Sequence, residues 1–301
     1  MIMRLKKKVK RNIKRFFILI VLLIIVGVSV LIWKKVFKEE KVIEKIENSE
    51  QEKIEYNPEP VYKEHSSEFE IVNSNYIEKF YDRYIAYKKL HPEYSDDTVI
   101  TYVNIGLDNP FYSNMEESDM SQGTLVLCNK YHTLKSNYVP DLVNLGSKYG
   151  GGQMQREAAE YFKKMVDAAK SDGISLRNVS GYRSYNTQKT LYNNYVKRDG
   201  VTKADTYSAR AGTSEHQTGL ASDINTASSS AHFEKTKEYA WLIKNSYKYG
   251  FILRYLEGKT FITGYKYEPW HYRYVGEKVA TYIHEHDITY EEYYATFILK
   301  G

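Results

Sequence analysis

The stretch Ser214-Glu-His-Gln-Thr-Gly-Leu-Ala-Ser-Asp223 carries a histidine, His216, and an aspartate seven residues after it. A second stretch, Glu268-Pro-Trp-His271, adds another imidazole with a carboxylate three residues before it. Two imidazoles, one carboxylate and a separate acid/base group are the components of a catalytic zinc site, in which the fourth metal position is left to water. We therefore interpret the two stretches as the two halves of one metal site.

The neighbours of these side chains favour this interpretation. Gly219 lets the backbone pass close to the site between His216 and Asp223, which are expected on a loop and on the strand that returns from it. If His271 binds a metal, Glu268 is near enough to take a proton from water. An ordinary buried ion-pair cluster is the alternative that the spacing alone leaves open. The other histidines are interpreted as solvated, packing or capping residues: His65, His91, His132, His232, His284 and His286.

The composition is that of a globular protein with no disulfide framework. The chain has 301 residues, of which 42% are hydrophobic and 27% are charged. Its one cysteine, Cys128, excludes an internal disulfide and a zinc site built from several thiolates. Because Cys128 ends the apolar run that begins at Thr124, we expect it to be buried.

The positive charge of the chain is concentrated at its beginning. Residues 1–15 carry eight Lys and Arg residues and no acidic residue. Removing these eight charges from the net charge of +5 leaves −3 for residues 16–301, so we expect no nucleic-acid partner. Residues 16–33 form an uncharged apolar run of 18 residues, which is long enough for a transmembrane helix. The basic flank predicts a single-pass anchor with the N-terminus in the cytoplasm and the rest outside the cell membrane.

The remaining domain boundaries follow from changes in composition. Residues 34–68 are rich in Lys and Glu and include Asn57-Pro-Glu-Pro60, which is typical of a polar stalk or linker. Residues 69–123 are interpreted as an N-terminal extension or a small separate module. Residues 124–301 contain both halves of the metal site and are predicted to be the catalytic domain.

Helical and strand patterns interleave along the catalytic part, which predicts an α+β fold. The apolar positions of residues 153–171 recur with helical spacing, and Thr289-x-x-Glu292 is a capping box that begins a last helix. Further helices are predicted over 75–90, 186–198 and 235–249, and strands over 124–131, 174–179, 251–255 and 272–275. The regular β-α repeats and glycine fingerprint of a dinucleotide-binding fold do not occur.

The motifs together resemble those of the zinc D-alanyl-D-alanine carboxypeptidases of the VanY type, including the LD-carboxypeptidases. The resemblance covers about residues 124–276 and rests on these segments: Leu127-x-Asn129-Lys130, Val139-Pro140, Ser180-Gly-Tyr-Arg-Ser184 with Gln188, Ser214-x-His216-x-x-Gly219-x-Ala221-x-Asp223, and Glu268-x-Trp270-His271. It implies a fold of the hedgehog and DD-peptidase type, in which helices flank a small antiparallel sheet that carries the zinc site.

The resemblance also implies the roles of individual residues. His216, Asp223 and His271 match the ligands of one zinc ion per catalytic domain, and Glu268 matches the catalytic base. Arg183 matches an active-site arginine, whose planar set of donors suits a substrate carboxylate or a developing oxyanion. The positions that match the lining of the peptide pocket are Arg183, Ser184, Gln188 and Ser214.

The implied function is a membrane-anchored zinc carboxypeptidase that removes the C-terminal D-alanine of peptidoglycan stem peptides. A zinc endopeptidase or amidase acting on peptidoglycan cross-bridges is an alternative within the enzymes. A wall-binding protein with a structural zinc is an alternative outside them, but a structural site has no need of a base such as Glu268.

Overall fold

The computed structural model describes residues 75–299. The predicted basic tail, transmembrane helix and stalk (residues 1–68) lie outside these residues. Among the helices of residues 75–299, none combines the length and the apolar character that a bilayer crossing requires.

The described residues form nine α-helices and eight short strands. The helices are α1 (Tyr81–Leu90), α2 (Asp96–Asn104), α3 (Arg156–Ser171), α4 (Tyr185–Asp199), α5 (Val201–Ala204), α6 (Lys237–Asn245), α7 (Thr260–Thr263), α8 (Glu277–His286) and α9 (Tyr290–Phe297). The strands are β1 (Glu116–Glu117), β2 (His132–Thr133), β3 (Leu142–Asn144), β4 (Gln153–Gln155), β5 (Leu176–Ser180), β6 (Ala221–Thr226), β7 (Phe251–Leu253) and β8 (His271–Tyr274). Helices and small sheets are mixed, so the predicted α+β class is confirmed.

A four-stranded antiparallel sheet, which we call the central sheet, has the strand order β5-β6-β8-β7. In the pairing of β6 with β8, Asp223 lies opposite His271 and Ser222 lies opposite Tyr272. Because side chains alternate between the two faces of a sheet, Asp223 and His271 share one face. The sheet therefore brings together two residues that are 48 positions apart.

The other face of this sheet packs on the main hydrophobic core. Ile224, Tyr272 and Tyr274 join a buried cluster with residues of α3, including Phe162. The apolar face predicted for this helix is buried at each of its positions: Ala158, Ala159, Phe162, Met165, Val166 and Ala169. Residues on one face of β6 and β8 thus anchor the sheet, while residues on the opposite face are available to the site.

One predicted strand, residues 124–131, is wrong. A 3-10 helix covers Met120–Leu125, and an irregular segment follows up to β2. The apolar run is nevertheless buried, and Cys128 is fully buried as expected. The carbonyl oxygens of Thr124 and Val126 accept hydrogen bonds from the guanidinium of Arg273 at 2.9 and 2.8 Å. A buried side chain therefore satisfies backbone groups that a neighbouring strand would otherwise pair.

Three predicted helices differ from the observed ones at their ends. The helix predicted to begin at Gln153 begins at Arg156, because Gln153–Gln155 pairs with β3 as strand β4. The helix predicted over 75–90 consists of a 3-10 turn followed by α1. The helix predicted over 235–249 divides into α6 and a 3-10 turn, Ser246–Tyr249. The capping box of Thr289 and Glu292 is present at the start of α9.

The predicted boundary between residues 123 and 124 stays a prediction. Strands β1 and β2, which lie on either side of it, pair in parallel. Just before these strands in the chain, the ring of Tyr112 lies 5.2 Å from the ammonium of Lys130. Helices α1 and α2 have a small core of their own, formed by Tyr84, Tyr87, Val99, Ile100 and Val103.

Candidate active site

The three predicted metal ligands converge at one end of the central sheet. His216 lies on a 3-10 helix, Glu215–Thr218, while Asp223 lies on β6 and His271 begins β8. One possible ligand atom from each side chain lies within 4.8 Å of the others. The Nε2 atom of His216 is 3.4 Å from Asp223 Oδ2, and the Nδ1 atom of His271 is 3.2 Å from Asp223 Oδ1.

Hydrogen bonds on the far side of each imidazole fix which nitrogen faces Asp223. The Nδ1 atom of His216 lies 2.7 Å from the carbonyl oxygen of Gly181, so this nitrogen carries the proton and donates it. Burial lowers the pKa of His216, which leaves its Nε2 atom with a free lone pair. The Nε2 atom of His271 lies 3.3 Å from the Glu215 carboxylate, which leaves Nδ1 directed toward Asp223.

This donor set fits a zinc ion. Two imidazole nitrogens and a carboxylate are typical zinc ligands, and bonds of about 2.0–2.2 Å in a tetrahedral arrangement separate ligand atoms by about 3.3 Å. Asp223 Oδ1 is buried and, within residues 75–299, makes no well-oriented hydrogen bond. A cation between the three side chains would satisfy that oxygen and both lone pairs.

The pKa shifts also indicate that the site needs a positive charge. Burial alone would raise the pKa of Asp223, but His216 and His271 hold it below its usual range. Burial alone would lower the pKa of His271, but the neighbouring carboxylates of Asp223 and Glu215 raise it to about 9. Either a proton on His271 or a metal ion would therefore offset the negative charge of the buried carboxylates.

Glu268 is held beside this centre by a tight turn. The backbone amide of His271 donates to the carbonyl of Glu268 at 3.0 Å, which places the Glu268 carboxylate 3.7 Å from His271 Nδ1. Burial raises the pKa of Glu268 to about 7. A carboxylate with a pKa near neutrality can both accept and release a proton, whereas a positive charge in the site would shift it toward the ionised form.

Arg183 also lies close to Asp223. One of its terminal nitrogens donates to Gln188 Oε1 at 2.7 Å and the other donates to Ser180 Oγ at 2.8 Å. The guanidinium remains 3.9 Å from Asp223. Since each terminal nitrogen carries two N–H groups, each keeps one free for a further acceptor.

A cavity of about 360 Å³ opens onto the metal centre. Its wall includes the predicted pocket residues Arg183, Gln188 and Ser214, together with Glu268 and the three candidate ligands. Leu191 and Tyr195 of α4, with Tyr207, extend the wall away from the centre.

Ser184 occupies a different position from the other predicted pocket residues. It is outside the cavity wall formed by the described residues, and its hydroxyl caps α4 by accepting from the Thr187 amide. Its role in substrate binding stays a prediction, because Ser184 does not line the cavity.

The predicted site residues do not include the buried charged residues next to His271. The Glu215 carboxylate accepts hydrogen bonds from Arg254 Nε and Arg273 Nη1, each at 2.8 Å, and all three side chains are fully buried. Strand alternation puts Arg273 on the same face as His271, which is a signal that the sequence contains. Arg254 and its partner Glu291 offer no such signal, because they are far apart in the chain.

A family model described as D-alanyl-D-alanine carboxypeptidase, VanY, matches residues 151–277. The chain is 42% identical over 205 residues to the putative carboxypeptidase YodJ of Bacillus subtilis, covering 62% of this chain and 75% of that protein. It is 37% identical over 198 residues to a D-alanyl-D-alanine carboxypeptidase of Enterococcus faecalis, covering 63% of this chain and 72% of the relative.

Solved structures of carboxypeptidases are also similar to this chain. The LdcB LD-carboxypeptidase aligns with a TM-score of 0.57 at 42% identity, covering 62% of this chain and 94% of that one. VanYB in complex with D-alanine-D-alanine aligns with a TM-score of 0.53 at 37% identity, covering 58% and 98%. A mutant of the D,D-pentapeptidase VanY in complex with Zn(II) aligns with a TM-score of 0.51 at 37% identity, covering 56% and 98%. These similarities support zinc as the cofactor.

We predict that adding zinc to the metal-free protein raises its unfolding temperature and that His216→Ala removes this stabilisation. A ligand that binds only the folded state stabilises it by about 4 kcal/mol at a thousand times its dissociation constant. Thermal unfolding of the full chain, measured after chelation and again after zinc addition, should show a rise of several degrees in wild type and little rise in the variant. His232→Ala, which removes an exposed imidazole, is the control. Full zinc occupancy in purified His216→Ala would exclude His216 as a ligand.

Proposed function

Because the chain belongs to the VanY family of D-alanyl-D-alanine carboxypeptidases and is a zinc metallopeptidase, we propose that it removes the C-terminal D-alanine of peptidoglycan stem peptides from the outer side of the cell membrane. One observation carries the proposal: a buried His216-Asp223-His271 donor set opens into a cavity that also contains a carboxylate and a guanidinium. Such an arrangement suits the hydrolysis of a peptide bond next to a free carboxyl terminus.

In this proposal His216, Asp223 and His271 hold the zinc ion. When bound there, zinc supplies a Lewis acid and makes a water molecule easier to deprotonate. Glu268 would accept the proton of the attacking water and would later donate it to the amine of the departing alanine. Its position beside His271 and its pKa of about 7 before any metal charge is added suit both transfers.

Arg183 is proposed to recognise the terminal carboxylate of the substrate or the oxyanion that develops at the scissile carbonyl. Gln188 and Ser180 hold its guanidinium in place, so binding a carboxylate would require little rearrangement. Gln188 is itself fixed by donating to the carbonyl of Ala209 at 2.6 Å. The guanidinium of Arg183 is thus already oriented to bind the free carboxyl terminus of a substrate.

We predict that the full chain shortens a purified stem peptide by one alanine. Incubation with a pentapeptide and with a tetrapeptide, followed by mass spectrometry, separates the two specificities. Loss of one alanine from the pentapeptide indicates DD-carboxypeptidase activity, and loss from the tetrapeptide indicates LD-carboxypeptidase activity. If neither peptide is shortened while cross-linked fragments are cut, the endopeptidase or amidase alternative is favoured. If no substrate changes at all, a binding protein with a structural zinc becomes the better explanation.

We predict that Glu268→Gln keeps zinc but loses most of its turnover. A general base typically contributes a factor of 10²–10⁴, so kcat should fall about a thousand-fold. The assay is alanine release from the stem peptide that the wild type accepts, with zinc content measured in the same samples. Glu257→Gln, at an exposed position outside the cavity wall, should retain wild-type turnover. Near wild-type turnover of Glu268→Gln would mean that another group is the base.

The location outside the membrane is proposed from residues 1–33. A basic N-terminus before an apolar run favours an anchor that leaves the rest of the chain on the side where peptidoglycan lies. We predict that the full chain sediments with membranes, that deletion of residues 1–33 releases it, and that protease added to intact protoplasts digests the full-length protein. Protection from that protease would contradict the proposed orientation.

A further inference from the structure

Four charged side chains form a buried network that reaches His271 of the candidate metal centre. We call them the buried charge network: Glu215, Arg254, Arg273 and Glu291. One of them, Glu215, also lines the cavity. Their side chains are at most 2% exposed. Two carboxylates and two guanidiniums balance each other, which is the condition under which charges are tolerated in a protein interior.

A chain of hydrogen bonds in this network connects the last helix, α9, to His271. Glu291 on α9 accepts two hydrogen bonds from Arg254, Nη1 to Oε2 at 2.8 Å and Nη2 to Oε1 at 2.6 Å. The third nitrogen of Arg254, Nε, donates to Glu215 Oε1 at 2.8 Å. The other oxygen of Glu215 accepts from Nε2 of His271 at 3.3 Å. Glu291 is thus linked to His271 through two intermediate side chains.

Glu291 also accepts a hydrogen bond from outside the buried charge network. The side-chain amide of Asn129 donates to Glu291 Oε1 at 3.3 Å. The carbonyl oxygen of that amide accepts from the backbone amides of Tyr131 and His132 at 2.9 and 3.0 Å, which fixes the orientation of Asn129. The position of the Glu291 carboxylate is therefore set by the segment before β2 as well as by α9.

We propose that Glu291 is a positioning residue for the metal centre, although it lies beyond residue 277, where the family match ends. It binds Nη1 and Nη2 of the Arg254 guanidinium, while Nε binds Glu215. Without Glu291, the freed donors of Arg254 would compete for both oxygens of Glu215, including the one that binds His271. The inference rests on the proposed function only in taking His271 as a metal ligand.

A purely structural role makes a different prediction. If the network only stabilises the fold, removing Glu291 lowers the stability of the metal-free protein but leaves the zinc affinity of the folded fraction unchanged. If it orients His271, zinc affinity falls even where the protein is folded, since hydrogen bonds to a ligating histidine typically contribute 10- to 100-fold to affinity or activity. Zinc affinity therefore separates the two roles.

The test compares Glu291→Gln with Glu292→Gln in the full chain. Glu292 is the next residue on the same helix and contributes to the capping box rather than to the buried charge network, and glutamine can also serve in such a box. The zinc dissociation constant is measured by competition with a chelating dye, using zinc alone as the ligand, and thermal unfolding of the metal-free form monitors folding. We expect about a ten-fold weaker zinc affinity for Glu291→Gln and no change for Glu292→Gln.

Glu291→Asp provides a second variant in case the first does not fold. It keeps the charge that balances Arg254 but withdraws the carboxylate by one methylene, so it should fold and still bind zinc more weakly. Folded variants with wild-type zinc affinity would overturn the proposal. So would failure of both variants to fold while Glu292→Gln folds, because the network would then serve the fold alone. These outcomes are independent of the proposed function, which fails instead if the wild type binds zinc but releases no alanine.

Discussion

The register between β6 and β8 is the constraint on which the site depends. It places Asp223 opposite His271, at a separation where two side chains on the same face of an antiparallel pair can share one ion. A slip of β8 by one residue would turn His271 away from Asp223, toward the face that packs on α3. Tyr272 and Tyr274 prevent such a slip, because they are buried in the core on that face. Hydrophobic packing on one side of the sheet therefore fixes the geometry of the polar side.

The second requirement is that the buried charges balance. In the buried charge network the two carboxylates of Glu215 and Glu291 offset the two guanidiniums. At the candidate metal centre, the ionised carboxylates of Asp223 and Glu268 would offset the charge of a zinc ion bound by neutral imidazoles. This leaves the charge of Arg183 without a full partner in the site, since its distance to Asp223 is 3.9 Å. A substrate that ends in a carboxylate would complete the balance, and this favours a carboxypeptidase over an enzyme that cuts within a chain.

Much of this arrangement is predictable from the sequence, because its signals are local. Helical spacing identified the buried face of α3, and the paired histidine and carboxylate motifs identified side chains that lie around one cavity. The strand predicted over 124–131 was wrong because an apolar run indicates burial but not a pairing partner. Its carbonyl groups bind Arg273, which is about 150 positions later in the chain. The pairing of Arg254 with Glu291 could not be predicted for a related reason. A charged residue is normally exposed, and only the tertiary fold shows that these two are buried together.

The two arginines also explain why the catalytic unit extends beyond the segment that matches the family model. Arg273 binds backbone carbonyls of Thr124 and Val126, before the matched segment, while Arg254 binds Glu291, after it. Removing either partner would leave a guanidinium buried with part of its hydrogen bonding lost. Breaking a buried ion pair on one side typically costs about 3–5 kcal/mol, a large share of the roughly 5–15 kcal/mol that stabilises a typical domain. A fragment limited to residues 151–277 would lose both sets of contacts, so the flanking segments belong to the same cooperative unit as the metal centre.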